Sequence, residues 1–101
     1  MPNEPTKIRP AVVVEDHELF PDGYPNTIVV PLTQDERLAY AGLSERLEPT
    51  VENGAIGVSW ALAHHVASVS LARIRMTASH VSAEQLTRIR GRVAIAIGST
   101  S

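Results

Sequence analysis

The segment that most constrains the fold is Lys7–Asp16, in which a proline opens a run of three valines. Valine is β-branched and apolar, and a continuous run of this kind is typical of a strand buried on both faces. Pro10 fixes φ and has no N–H to donate, so it belongs at the first position of that strand or on a sheet edge. Arg9 therefore lies at the mouth of a buried strand, where its guanidinium can serve a binding site or simply face the solvent.

The composition indicates one small domain covering residues 1–101, of which residues 1–7 are expected to be irregular because of Pro2 and Pro5. Hydrophobic residues make up 44% of the chain and aromatic residues 4%, so the core must be mainly aliphatic. The lack of cysteine excludes disulfides and thiolate metal sites. No apolar run approaches the ~20 residues that cross a bilayer, and the N-terminus has no signal-peptide core. We therefore expect a cytoplasmic protein without membrane contact.

The charges are unevenly distributed along the chain. The formal net charge of -2 gives the protein as a whole no attraction for nucleic acid. Ten of the eleven acidic residues precede residue 53, however, and five of the eight arginines follow residue 72. Folding could concentrate these arginines into a local basic patch.

Turn signals and apolar runs predict several short strands before one helix. The expected strands cover residues 10–15, 27–32, 44–50 and 58–63. Within the second of them, Pro31 indicates an edge or a bulge. A short helix is expected over residues 35–41 because Gly42 can end it. The chain should continue extended or bend over residues 64–69, and residues 70–76 fit either a helix or a strand.

The clearest predicted helix covers residues 82–97. Ser82 and Gln85 fit a capping box, in which each side chain bonds the backbone N–H of the other residue. One apolar face is marked at spacings of three, four and four by Leu86, Ile89, Val93 and Ile97. Arg88 and Arg92 lie one turn apart on another face, where they could form a row of RNA contacts or a solvated surface.

Three segments and this helix, in this order, resemble the MazF/PemK family of toxins from bacterial type II toxin–antitoxin systems. The segments are Arg9–Val14, Ile28–Thr33 and Ser59–Val66, and the resemblance covers about residues 7–98. It implies a mainly β or α+β fold, a small SH3-like antiparallel β-barrel with a C-terminal helix. It also implies a homodimer bound by a cognate antitoxin, and a metal-independent endoribonuclease that cuts single-stranded RNA without a cofactor.

The resemblance further implies a catalytic site. RNA carries its own nucleophile, the 2′-OH, so the enzyme must help remove that proton and stabilise a phosphorane. A guanidinium offers a fork of donors for phosphate oxygens, and a hydroxyl adds a donor for developing charge. Arg9 matches the family's arginine before proline, which contacts phosphate and assists proton transfer. Thr33 matches the threonine that stabilises the transition state, although by itself it also reads as a strand-end threonine capping a turn.

Two features depart from the family pattern. A strand and a glycine-containing loop normally precede the Arg-Pro pair, whereas eight residues precede Arg9. We therefore expect that this strand is missing, that the chain begins at an internal methionine, or that another subunit supplies the strand. Many members also carry an arginine after the late strand, where this chain has Ala67, and Arg73 or Arg75 could take its place. These departures leave open a non-catalytic member that binds antitoxin or nucleic acid, or an unrelated small β-barrel interaction module.

His64 and His65 are the candidate substitutes for proton transfer near neutral pH. Neighbours on a strand point to opposite faces, so only one can enter a site. His65 is favoured as the third catalytic residue because it would share a face with Ala61 and Ala67. The alternative is that one histidine ends the strand and the other is solvated.

The remaining predicted RNA-binding residues flank these positions, and they are Lys7, Gln34, His64, Ser68 and Arg73. A metal site built from His64, His65 and His80 is disfavoured, because adjacent strand histidines diverge and no carboxylate has ligand-like spacing. We therefore expect no metal.

Overall fold

A computed structural model describes residues 9–99, which form one antiparallel sheet and one α-helix. The strands are β1 (Ala11–Val13), β2 (Asn26–Thr33), β3 (Ser44–Leu47), β4 (Ser59–Leu62) and β5 (Ala67–Ser70), and the helix is α1 (Ala83–Ala96). Single 3₁₀ turns cover His17–Leu19, Glu36–Leu38, Ala63–His65 and Leu71–Arg73. No helix in this part of the chain is long and apolar enough to cross a membrane. The irregular segment predicted over residues 1–7 lies outside the described residues.

The long strand β2 organises the sheet. One of its edges pairs with β1, in a register that places Val12 opposite Val30. Its other edge pairs first with β5 and then with β4, and β4 in turn pairs with β3. β4 and β5 are therefore consecutive neighbours along the same edge of β2, and the 3₁₀ turn Ala63–His65 connects them.

Pro31 lies inside β2, at the point where one neighbouring strand gives way to the next. Leu32 N donates to Pro10 O at 3.0 Å and Val14 N to Ile28 O at 2.9 Å, so the even-numbered amides of β2 face β1. The missing amide of Pro31 therefore falls on the other edge, between the end of the β5 pairing at Val29 and the start of the β4 pairing at Leu32. The proline thus marks a local gap in a central strand rather than an outer strand.

The fold class predicted from the sequence, mainly β with a C-terminal helix, is confirmed. The described strands follow the order β1-β2-β4-β3, with β5 also on β2, and all pairs are antiparallel. The predicted closure into a barrel is not present within residues 9–99, because β1 and β3 are the outer strands of this order and do not pair.

The core lies between the sheet and α1. Its buried side chains come from four strands or strand ends and from the helix, and they are Val14, Val30, Leu47, Ala61 and Ile89. The helix begins with the predicted capping box, since Ser82 Oγ accepts from Gln85 N at 3.0 Å and Gln85 Oε1 accepts from Ser82 N at 2.8 Å. Leu86 and Val93 pack against this core, whereas Ile97 follows the end of the helix and is 67% exposed.

Arginines also fasten α1 to the sheet. Glu45 on β3 has a side chain only 8% exposed, and it accepts from Arg88 Nε at 2.7 Å and Arg92 Nε at 2.8 Å. Burial raises the pKa of Glu45, but the hydrogen bonds from Arg88 and Arg92 outweigh it and hold the pKa below its ordinary value. Both arginine side chains remain partly exposed, at 47% and 31%, so a solvated face or a row of RNA contacts stays a prediction, and the ion pairs with Glu45 are a structural role that the sequence did not show.

Two other elements differ from the sequence expectation. The helix predicted over residues 35–41 is a single 3₁₀ turn, because the chain reverses into β3 through Gly42, whose φ is +84°. Asp35 caps this turn by accepting from Arg37 N at 3.0 Å. The strand predicted over residues 44–50 ends at Leu47, where the loop that leads to β4 begins.

Candidate nucleic-acid interface

A cleft of about 540 Å³ opens where the start of β1 meets the end of β2. Arg9, Thr33 and Gln34 lie on its lining, and residues 53–56 form the facing wall. Among the described residues, no aspartate or glutamate lines it. A net-negative chain thus places a cation and neutral hydrogen-bonding groups together in a cleft whose described lining carries no opposing charge.

Arg9 owes its position to the proline that follows it. The ladder between β1 and β2 begins at Pro10, whose carbonyl accepts from Leu32 N at 3.0 Å. Arg9 is the residue immediately before that anchored point, and it is exposed. Its guanidinium makes no ion pair with any other residue of 9–99, so none of these residues occupies the fork of donors that a phosphate would bind.

Thr33 ends β2 and is half-buried in the cleft. Its Oγ1 accepts from Asp35 N at 3.0 Å, which is the turn-capping role that the sequence left open as an alternative. A hydroxyl has two lone pairs and one hydrogen, so this bond leaves the hydrogen free to be donated. Capping the turn therefore fixes the hydroxyl without using its donor.

The carboxylate of Asp35, two residues after Thr33, is paired with Arg37. Arg37 Nε and Nη2 each lie 3.0 Å from a carboxylate oxygen of Asp35, in a bidentate pair. The hydrogen bonds from the Arg37 side chain and backbone hold the pKa of Asp35 below its ordinary value. The carboxylate nearest to Thr33 in sequence is therefore ionised and neutralised by Arg37.

The facing wall is stiffened by Asn53. Its Oδ1 accepts from Thr50 N at 3.0 Å and from Ala55 N at 2.9 Å, and its Nδ2 donates to Glu48 O at 2.8 Å. Gly54 adopts φ +66°, and a Cβ there would lie 2.6 Å from Ser79 Oγ. Asn53 and Gly54 thus form a tight turn that lines the cleft with Arg9 and Pro10, and no local sequence pattern links this turn to β1.

A larger groove of about 1790 Å³ continues from the cleft along β1 towards the segment before α1. Four basic or titratable side chains line it, and they are Arg9, Arg73, Arg75 and His80. Again no acidic residue is present on the described lining. Arg73, predicted to bind RNA, and Arg75, weighed as a substitute for the family's second arginine, thus share a groove with Arg9. His80 had been considered only as a metal ligand.

The histidines predicted for proton transfer lie elsewhere. His64 and His65 belong to the 3₁₀ turn after β4 rather than to a strand, so the opposite-face argument does not apply to them. Their rings are 4.5 Å apart at 75°, and the His64 ring is 5.9 Å from that of Tyr40. Neither histidine is part of the lining of the cleft or the groove. The catalytic role of His65 stays a prediction without support from this geometry.

Of the other residues predicted to bind RNA, one lies in the cleft and one lies away from it. Gln34 lies in the cleft, and its side-chain amide packs closely over Gly57. Ser68 lies on β5, where its hydroxyl accepts from Asn26 Nδ2 at 3.3 Å, away from the cleft lining. Lys7 lies outside the described residues. Over residues 9–99, no group of three or more histidine, cysteine, aspartate or glutamate side chains could hold a metal ion.

Residues 2–97 match a family described as PemK-like, MazF-like toxin of type II toxin–antitoxin system. The chain belongs to this family of toxins. The resemblance seen in the sequence is thereby confirmed, and the reading as an unrelated interaction module is wrong. Membership of a type II system also implies an antitoxin as partner.

Solved structures of toxins share the fold. The Mycobacterium tuberculosis toxin MazF-mt6 superposes with a TM-score of 0.75 at 14% identity, covering 92% of this chain and 89% of that one. A second structure, described as an Mtb toxin, gives 0.70 at 16% identity, covering 87% and 91%. At such identities the likeness establishes the fold alone. No curated protein matches the sequence.

Proposed function

We propose that this toxin is a metal-independent endoribonuclease that cuts single-stranded RNA in the cleft between Arg9 and Thr33. The observation that carries the proposal is that one cleft holds the Thr33 hydroxyl together with Arg9, which makes no ion pair with residues 9–99, and that the described lining has no acidic residue. Family membership supports it, because the Arg9-Pro10 pair and Thr33 are the residues that match the family pattern.

The chemistry follows from the donors in the cleft. In the proposed reaction the 2′-oxygen forms a bond to phosphorus while the bond from phosphorus to the 5′-oxygen breaks. The 2′-OH loses a proton and the leaving oxygen gains one, which yields a 2′,3′-cyclic phosphate and a 5′-OH. Arg9 would bind the non-bridging oxygens and assist proton transfer, and the Thr33 hydroxyl would donate to the charge that develops in the phosphorane.

The test is cleavage of a long single-stranded RNA with EDTA present, comparing the parent with Arg9→Ala. We expect discrete fragments from the parent and a loss of about 10²–10³-fold in the variant, which is typical when one donor to a transition-state anion is removed. Arg46→Ala is the matched control, because Arg46 is exposed, pairs with Glu48 and is not part of the cleft lining. Equal cleavage by the parent and Arg9→Ala would overturn the mechanism.

A second candidate is a non-catalytic toxin relative that binds antitoxin or nucleic acid without cutting. Ala67 favours it, since this residue stands at the start of β5 where many family members carry an arginine, and alanine has no donor for phosphate. RNA binding without fragments from the parent would support this candidate. With either function we propose that the toxin forms a homodimer and acts in the cytoplasm. Sedimentation of the purified protein tests whether it is a dimer.

A further inference from the structure

The wall of the cleft carries an exposed apolar side chain in a fixed place. The loop between β3 and β4 exposes two such side chains, Val51 at 96% and Ile56 at 94%. Only Ile56 lies on the lining of the cleft that holds Arg9 and Thr33. An exposed isoleucine has no stabilising role in the fold, because it covers no apolar surface of the protein.

The loop holds Ile56 in position by hydrogen bonds rather than by packing. Besides the three bonds of the Asn53 side chain, Asn53 N donates to Thr50 Oγ1 at 3.0 Å and Gly54 N donates to Thr50 O at 3.1 Å. His80 N donates to Glu52 O at 2.8 Å and so ties the loop to the segment before α1. The residues that precede Ile56 are therefore fixed relative to the cleft.

We propose that Ile56 is a platform for a nucleobase next to the scissile phosphate, and that Asn53 is the positioning residue that holds this platform. The inference rests on the proposed function and deepens it by assigning a base contact to the same site. A single-stranded RNA presents the face of each unpaired base, and proteins hold such bases against aromatic or apolar side chains beside cationic contacts to the backbone. The cleft offers both, since Arg9 faces the same space as Ile56.

The first measurement is the affinity for a labelled pool of single-stranded RNA carrying 2′-fluoro groups, which cannot be cleaved. Ile56→Ala should weaken binding about fivefold, because truncation removes apolar surface that a base would cover. Val51→Ala is the matched control, with equal exposure on the same loop but no place on the lining, and should leave the affinity unchanged. Equal affinities for the two variants, or a parent that does not bind the pool, would overturn the proposal.

The role of Asn53 is tested by a double-mutant cycle. Asn53→Ala should weaken binding by itself, and adding Ile56→Ala to it should then cost less than about twofold, because the platform is already displaced. Asn53→Ser should bind better than Asn53→Ala, since a serine hydroxyl can still accept from Ala55 N two residues on and places no charge on the cleft lining. Independent, additive effects of the two alanine variants would show that Asn53 does not act through Ile56.

Two results distinguish the base contact from the proposed endoribonuclease activity and from a contact between two copies of the chain. If the parent binds the pool but cuts no RNA, the proposed endoribonuclease fails while the fivefold effect of Ile56→Ala still supports the base contact. A second copy of the chain is the other conceivable occupant of an exposed isoleucine. A change in sedimentation of Ile56→Ala without a change in RNA affinity would assign the side chain to that contact and overturn the proposal.

Discussion

The arginines of α1 and those of the groove carry the same guanidinium group but differ in whether the fold supplies a hydrogen-bond acceptor for it. Arg88 and Arg92 share the carboxylate of Glu45, and Arg90 donates to the carbonyls of Val14 at 2.8 Å and Glu15 at 3.0 Å. The groove arginines make no ion pair or side-chain hydrogen bond with the described residues, and they are Arg9, Arg73 and Arg75.

The difference shows that basic residues in a sequence do not locate a binding surface by themselves. The arginines of α1 donate to Glu45 and to carbonyls after β1, and these bonds hold the helix on the sheet. The groove arginines have no such acceptor among the described residues and can bind a ligand. The clustering of arginines after residue 72 therefore mixes two populations, and only the fold separates them. The comparison predicts that changes around α1 act on stability and changes in the groove act on binding.

Loss of the buried carboxylate should give the largest effect on stability. Glu45→Gln removes the buried counter-charge that Arg88 and Arg92 share, and breaking such a buried pair costs several kcal/mol. Since both guanidiniums are partly solvated, with 47% and 31% exposure, we expect a loss of about 2 kcal/mol in the free energy of unfolding.

Urea unfolding measures this loss, with Glu84→Gln as the control. Glu84 is 83% exposed and lies 3.7 Å from Arg88, so its replacement should change stability by less than about 0.5 kcal/mol. Comparable losses from both variants would show that Glu45 is not the anchor of the helix.

The same pair predicts an acid limb in the stability curve. The pKa of Glu45 is lowered by folding, so its contribution is fully present above the ordinary glutamate pKa of about 4.3 and is lost as the pH falls through the folded value. We expect the urea midpoint of the parent to fall below about pH 4 more steeply than that of Glu45→Gln. Parallel curves for the two proteins would contradict this.

A groove arginine should give the smallest effect, and on binding alone. Arg75→Ala should leave the free energy of unfolding unchanged and weaken binding of single-stranded RNA for all sequences. The slope of log affinity against log salt should fall by about 0.7, the value for one phosphate contact on a single strand. Arg46→Ala is the control, because Arg46 pairs with Glu48 and is not part of the groove lining. An unchanged slope for Arg75→Ala would remove this residue from the RNA path.

Local patterns were enough for much of the fold and for half of the site. The proline before three valines predicted β1, and the apolar run over residues 27–32 predicted β2, because both signals act through backbone preferences of neighbouring residues. Ser82 and Gln85 predicted the start of α1 for the same reason. The family resemblance then brought Arg9 and Thr33 together, and the structure places both in one cleft.

The tertiary structure decided what no local pattern could. Glu45 meets Arg88 and Arg92 across 43 and 47 residues, and the loop at Asn53 meets β1 only because β2 pairs with both β1 and β4. The 3₁₀ turn at His64 and His65 likewise follows from the chain turning over beside β2. Backbone propensities extend over a few residues, whereas these contacts depend on the register of strands distant in sequence. The sequence thus determined β1, β2, the start of α1 and the family, and only the folded sheet decided which arginines make no pair with the described residues and can meet a ligand.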